Sequence, residues 1–435
     1  MAKEPVTAVI VGAGHRAFCY AAHALTCPDD LRIVGVADPV ERRREQARQR
    51  FGFPESNCFA TADDLAARGR IADAVINGTM DQQHVPTSLP LLEAGYDMLL
   101  EKPFATDEDE MWRLVECARQ NGSKVMICHV LRYAPFYTEI RRRVAAGEIG
   151  AIINVQCTEH VSYHHVVVGY VRGKWSRTDQ CHATMLMAKS CHDLDLIAWM
   201  KSGVKPVRVA GYGSQFQFKP ENAPPGHGTR CLVDCPVEPD CLYSARKHYL
   251  DHPRRWWFYV WDGLEHIDEP TLEQKEEYLR TTSPYGRCVY TCDHDQVDHQ
   301  SVAIDFEDGA TATLNMIGGA ARGSRHIHLV GTRGEIEGKL ENESFVVRRI
   351  ETRPGRPEYT EEVVNLGELG DTTGARGGHG GGDERLTADF VRFVRDEPRS
   401  ISCTDLDDSV SGHLIGFCAD RARTERRGVD IHWNP

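Results

Sequence analysis

Thr7-Ala8-Val9-Ile10-Val11-Gly12-Ala13-Gly14-His15-Arg16-Ala17 is the stretch on which the reading of this chain turns. Its apolar, partly β-branched start reads as a buried strand, and two glycines carry it straight into a helix. A strand that turns so sharply leaves backbone N–H groups aimed at an anion, so a pyrophosphate can sit there. Gly12 permits the turn and Gly14 lets the backbone approach the phosphates. Ala17 takes the third small position, needed where helix packs on strand, and His15 and Arg16 lie in the same turn.

The alternation continues. A second strand over residues 32–37 ends in Asp38, near where an acidic side chain meets an adenosine ribose, roughly 20 residues after the turn. A carboxylate there binds the ribose hydroxyls and repels a 2′-phosphate, which favours NAD. Arg42, Arg43 and Arg44 follow closely and keep NADP open. Residues 74–76 form a third strand, closed by Asn77-Gly78-Thr79, and a helix carries Leu89, Leu91 and Leu92. Residues 97–100 form the next strand, closed by Glu101-Lys102-Pro103. Strands alternating with helices predict a doubly wound parallel sheet, with ligands at the carboxyl ends of its strands.

At 435 residues and 41% hydrophobic content, the chain is long enough for two domains with separate cores. Its net charge of -13 argues against nucleic acid or an anionic membrane as partner. No run approaches the ~20 apolar residues of a membrane span, and no signal-peptide pattern precedes the first strand, so the cytoplasm is the expected address.

Several motifs together resemble the Gfo/Idh/MocA oxidoreductases, named after glucose-fructose oxidoreductase, inositol dehydrogenase and a rhizopine catabolism protein. They are the glycine turn, Thr79-Met80-Asp81-Gln82-Gln83-His84 in place of T-P-D-x-x-H, and Glu101-Lys102-Pro103 as E-K-P. To these add His129-Val130-Leu131-Arg132-Tyr133-Ala134-Pro135, Gly147-Glu148-Ile149-Gly150, and Cys191-His192-Asp193-Leu194-Asp195 as H-D-x-D. The resemblance implies an N-terminal Rossmann domain (residues 1–128), an α+β domain with an open antiparallel sheet (129–400), and a C-terminal helix and tail (401–435) docking on the first domain. It implies NAD as cofactor, with Thr79, His84, Glu101 and Lys102 beside it, and a homo-oligomer, dimer or tetramer.

The resemblance also implies roles. Removing a hydride from a secondary alcohol requires a base and a cation flanking its oxygen. Lys102 would meet that oxygen and the nicotinamide ribose, and His192 would take the proton. Many members carry an aspartate four residues before this histidine, whereas here Ala188 stands there. Lys189 can share a helical face with His192, and a pKa lowered by burial would let it act as the base instead.

Beyond residue 151 the pattern turns to long strands, including 152–163, 207–212 and a hairpin around Asp308-Gly309. Tyr163, His164, His165, Tyr170, Arg172 and Lys174 are dense in groups that suit a sugar, aromatic faces for C–H surfaces and polar tips for hydroxyls. Trp256-Trp257-Phe258-Tyr259 reads as core or interface. In an insertion at about residues 213–300, Cys231, Cys235, Cys241, Cys288 and Cys292 are candidate ligands of a structural zinc, with His227, Asp293 and His294 as spare donors. Packed free thiols or a disulfide are the alternatives. The glycine-rich segment 377–382 reads either as a linker or as a loop bringing His379 or Asp383 to the substrate.

The sequence thus predicts an NAD-dependent dehydrogenase acting on a secondary hydroxyl of a sugar, glycoside or polyol. Two alternatives use the same parts. A redox-neutral glycoside hydrolase would oxidise the sugar transiently, eliminate the substituent, add water and re-reduce the product. A non-catalytic NAD-binding regulator would use only the cofactor site.

Overall fold

The computed structural model describes residues 4–252, 255–369 and 381–433. β1 (Val6–Val11) is apolar on both faces and runs through the middle of a six-stranded sheet. β2 (Leu31–Ala37), β3 (Cys58–Phe59), β4 (Ala74–Asn77), β5 (Asp97–Leu100) and β6 (Val125–Ile127) complete it. The order is β3-β2-β1-β4-β5-β6, and every pairing is parallel. The strand order reverses between β1 and β4, which opens a crevice at their carboxyl ends. The helix Gly382–Val394 returns to this layer, burying Leu386, Phe390 and Val391 in the same cluster as Ile10, Ala17 and Ile76.

The second layer is a nine-stranded sheet made of β7 (Ile152–Ser162), β8 (Pro206–Ser214), β9 (His299–Phe306), β10 (Thr311–Ala320), β11 (Ser324–Gly331), β12 (Gly334–Lys339), β13 (Ser344–Ile350), β14 (Tyr359–Asn365) and β15 (Val429–Asp430). Its order is β14-β13-β12-β11-β7-β10-β9-β8-β15. The antiparallel sheet expected from sequence is in fact mixed, because β7 and β10 pair in parallel. The cause is the connection after β7. A long helix, Met185–Met200, carries the chain back so that β8 starts in the direction of β7. Two antiparallel steps, β8 to β9 and β9 to β10, then leave β10 parallel to β7.

Every residue of Met185–Met200 except Lys189 is buried. The helix Leu406–Glu425 packs mainly against it and β8, and reaches the first layer through Arg421–Glu108 (3.0 Å) and Arg119–Asp407 (2.7 Å). The approach is close enough that a Cβ at Gly416 would fall 2.1 Å from Met187 Sδ. Arg132 crosses between the layers, donating from Nε and Nη2 to both oxygens of Asp195 at 2.7 and 2.6 Å, fully buried. Thus the arginine of the His129–Pro135 motif and the second aspartate of H-D-x-D serve each other. Removing either partner of such a pair costs about 3–5 kcal/mol.

Between β8 and β9 an insertion of short helices has its own small core of Leu232, Tyr249, Val260, Leu264, Leu279 and Tyr285. No helix among the described residues is long and apolar enough to cross a membrane.

Candidate active site

One cleft of about 1010 Å³ runs from the β1 turn to the helix Met185–Met200. Gly12 adopts φ +74° against Thr79, where a Cβ would lie 2.8 Å from the Thr79 backbone nitrogen. Gly14 caps the helix His15–Ala21 with no side-chain hydrogen bond to its first N–H groups, and Gly14, His15 and Arg16 line the cleft. Ala17 fits against Gly78, whose own Cβ would sit 2.9 Å from that of Ala17. Asp38 lines the far end. One oxygen accepts from Ala13 N–H at 2.7 Å and the other from Val40 N–H at 2.8 Å, which fixes the carboxylate at the end of β2. Arg43, the nearby cation that also lines the cleft, is bonded to Glu265 of the insertion at 3.0 Å, and Arg42 is paired with Asp268. An open helix start, a glycine cradle and a fixed carboxylate fit the pyrophosphate and ribose of a dinucleotide.

β5 ends in the Glu101-Lys102-Pro103 turn, where the Lys102–Pro103 peptide is cis. Glu101 lines the cleft but is committed to protein partners, accepting from Arg16 Nε at 2.9 Å, Tyr20 Oη at 2.6 Å and Lys102 N–H at 2.8 Å. Burial opposes its charge, but Arg16 and Lys102 outweigh that and hold its pKa down at about 2. Arg16 also pairs with Asp383, which lines the cleft as well. His84 sits with one ring nitrogen 2.6 Å from Pro103 O and the other 3.0 Å from Thr79 O, bracing the two loops. Lys102 Nζ donates to Ala188 O at 2.9 Å. Although burial disfavours its charge, Cys191, Glu101 and Asp81 raise its pKa.

Lys189, His192 and Ala188 line the cleft from the long helix. Lys189 Nζ lies 3.0 Å from Glu159 Oε1, which also receives Arg325 Nη2 at 2.6 Å; Arg325 Nε reaches Asp193 at 3.0 Å. Burial lowers the Lys189 pKa, with Glu159 opposing and Arg325 reinforcing the shift. Glu159 is held below the usual carboxylate range by Arg325 and Lys189 despite its burial. Neither Glu159 nor Arg325 was singled out from the sequence, yet a signal existed. Each is a charged residue in phase with the inward-facing apolar positions of its strand, Val155, Cys157 and Val161 on β7, Ile327 and Leu329 on β11.

The proposed sugar-contacting residues separate. His165, Tyr170 and Lys174 line the cleft. Tyr163 and His164 do not: His164 accepts from Trp256 Nε1 at 2.9 Å, and Tyr163 packs on His164 and His248. Arg172 turns away altogether, into the base of the insertion. His379 lies outside the described residues. The Trp256–Tyr259 run, read from sequence as core or interface, instead supplies the cleft wall. Trp256, Phe258 and Tyr259 line it, His15 stacks on Phe258 at 4.4 Å between centroids, and Lys174 Nζ lies 4.9 Å from the Tyr259 ring centre. Asp81, quoted in the motif but given no role from sequence, lines the cleft and accepts from Trp175 Nε1 at 3.0 Å; burial raises its pKa.

The candidate zinc ligands Cys231, Cys235, Cys241 and Cys288 line a second, small cavity with His227 and Arg172. Cys292 does not line this cavity, and its Sγ donates to Val171 O at 3.4 Å.

This fold and cleft are those of a dinucleotide-dependent oxidoreductase. The family profile described as an oxidoreductase family, NAD-binding Rossmann fold, matches residues 6–129, and its C-terminal alpha/beta domain matches 141–430. The chain therefore belongs to the Gfo/Idh/MocA oxidoreductase family. It is similar to the oxidoreductase YteT of Bacillus subtilis, 28% identical over 84% of this chain and 83% of the relative. It is 24% identical to an inositol 2-dehydrogenase of Corynebacterium glutamicum over 46% of this chain and 55% of that enzyme. Among solved structures, a levoglucosan dehydrogenase in complex with NADH and levoglucosan superposes with a TM-score of 0.70 at 15% identity, covering 98% of this chain and 100% of that one.

Proposed function

We propose that the protein is an NAD-dependent dehydrogenase that oxidises a secondary hydroxyl of a sugar, glycoside or polyol. The observation that carries this reading is that one cleft joins the glycine turn and Asp38 to Lys102, Lys189 and His192. Bound NAD supplies the hydride acceptor. Lys102, cationic and fixed by Ala188 O, faces the substrate oxygen and stabilises its developing charge. His192 accepts the hydroxyl proton, and Lys189 assists from the next turn of the same helix face, its proton loosened by burial. Trp256 and Tyr259 offer faces to the sugar's C–H surface, while His165 and Lys174 offer polar tips to its hydroxyls. Inositol 2-dehydrogenase and levoglucosan dehydrogenase, to which the chain is similar, are named for substrates of this chemical class.

NAD is preferred over NADP because Asp38 meets the ribose and Arg43 is already engaged by Glu265. The protein works in the cytoplasm as a homo-oligomer, joined through the outer face of the second sheet, where Ile153, Tyr212 and Ile317 are exposed. A structural zinc in the insertion would suit this reading without taking part in the reaction.

One observation favours the redox-neutral hydrolase as a second reading. The insertion is tied to the helix after Asp38 by Arg43–Glu265 and Arg42–Asp268, and Phe258 stacks on His15; such a cover would suit a cofactor kept bound between turnovers. Incubating the protein with NAD and a panel of free sugars, polyols and aryl glycosides separates the readings. Accumulating NADH without cleavage establishes the dehydrogenase. Catalytic release of aglycone with no net NADH, abolished by stripping NAD, establishes the hydrolase, and neither activity across the panel overturns both.

A further inference from the structure

We propose that Cys231, Cys235, Cys241 and Cys288 hold a structural zinc ion that fixes the insertion at its base. Residues from two separate stretches of the insertion bring four thiols, with His227, to the wall of one cavity of about 10 Å³. A space that small admits a single water or ion and no organic ligand.

Arg172 gives the independent indication of charge. It is 1% exposed and lines the same cavity. Its Nε donates to Arg287 O at 2.6 Å, and its Nη2 to Tyr243 O at 2.9 Å and to Cys231 Sγ at 3.2 Å. The Tyr249 hydroxyl, a neutral group, also meets the guanidinium, and no carboxylate among the described residues forms an ion pair with it. A buried cation without a counter-charge is costly. Four thiolates around a divalent ion carry two net negative charges, and Arg172 offsets one of them. Tyr243 N–H, donating to Cys241 Sγ at 3.3 Å, points the same way, because such a bond stabilises a thiolate.

Zinc suits an all-thiolate, four-ligand set, and a site with all four positions filled by protein is structural. Binding releases the four thiol protons to solvent and changes no oxidation state. The thiols stand around the cavity more widely than a bound ion would hold them. Among the described residues, only His23, Cys27 and Asp30 bring three ligand atoms within 4.8 Å of one another, and there Asp30 is already paired with Arg395. Binding would draw the four sulfurs together to about 2.3 Å from the ion. The gain would be a staple for a subdomain whose own core is small.

The test is the metal content of the purified full-length protein. One zinc per chain is expected, falling more than tenfold in Cys231→Ser and Cys288→Ser and unchanged in Cys292→Ser. Cobalt exchanged into the wild type should show the visible bands of a tetrahedral thiolate site; this decides the matter if a serine variant is insoluble. Metal that persists undiminished in Cys231→Ser and Cys288→Ser overturns the proposal. So does a wild-type protein that takes up neither zinc nor cobalt, whether its four thiols then prove freely reactive or joined as disulfides.

Discussion

Lys102 Nζ donates a hydrogen bond to the backbone carbonyl of Ala188 at 2.9 Å. The loop after β5 and the helix Met185–Met200 are thereby joined through the side chain that carries positive charge into the cleft. A backbone oxygen serves here, so the side chain at 188 is free to be small.

Replacing Lys102 by Met removes this cation while keeping the aliphatic stem. The expected result is a drop in kcat of about 10²–10⁴, with NADH affinity, followed by fluorescence titration, changed less than about threefold. An equal loss of kcat and NADH affinity would instead mean that Lys102 serves mainly the cofactor.

Glu159 holds the proton on Lys189, while burial and Arg325 loosen it. Removing the carboxylate charge in Glu159→Gln therefore lowers the Lys189 pKa further. If Lys189 must be unprotonated to assist, the rising limb of the kcat/KM profile moves to lower pH in Glu159→Gln and disappears in Lys189→Met. Profiles that coincide with wild type would assign the limb to another group, with His192 the first to examine.

Glu101 is depressed to a pKa of about 2 in the folded chain, from an ordinary value of 4.5. Its contribution to stability is thus complete above about pH 4.5 and is lost as pH falls toward 2. By linkage, Glu101→Gln should cost about 3 kcal/mol at neutral pH, and the gap in unfolding free energy from wild type should close between pH 4.5 and 2. A gap independent of pH would show that packing, not charge, is what Glu101 supplies.

On the proposed reading, coenzyme preference would rest on Asp38 together with the engagement of Arg43 by Glu265. Asp38→Ser combined with Glu265→Gln should raise the NADP-to-NAD ratio of kcat/KM by about 10–100-fold, equivalent to roughly 1–3 kcal/mol of a charge-assisted hydrogen bond. Asp38→Ser alone should do less, since Arg43 would stay paired.

The aromatic wall supplied by the insertion predicts a binding effect more than a chemical one. Tyr259→Ala and Trp256→Ala should each raise KM for the sugar by about 3–10-fold, in keeping with the loss of one stacking contact. Steady-state kinetics with saturating NAD would measure it.

Much of this was legible because the informative residues are neighbours in sequence. The turn from Val11 to Ala17 encodes its geometry within a few positions, and Glu101-Lys102-Pro103 and His192-Asp193-Leu194-Asp195 are equally compact. What escaped was set by tertiary approach. Nothing around Trp256 announces that it lies beside His165, since the contact depends on how the whole insertion folds back. Arg172 looked like a sugar ligand by composition, but its guanidinium follows the path of the chain into the thiol cavity. The parallel pairing of β7 and β10 was hidden for a similar reason: it follows from the length and direction of the connecting helix, and no strand records it in its own pattern.

The near-complete burial of the helix Met185–Met200 has a consequence for how such a site diversifies. Fifteen of its sixteen residues are buried, so a substitution on this element must fit the space its neighbours leave. The insertion meets the same cleft from loops and short turns of helix, built on a small core of its own. Novelty in substrate can therefore accumulate on one wall of the cleft while the opposite wall, and the chemistry it performs, stays as it was.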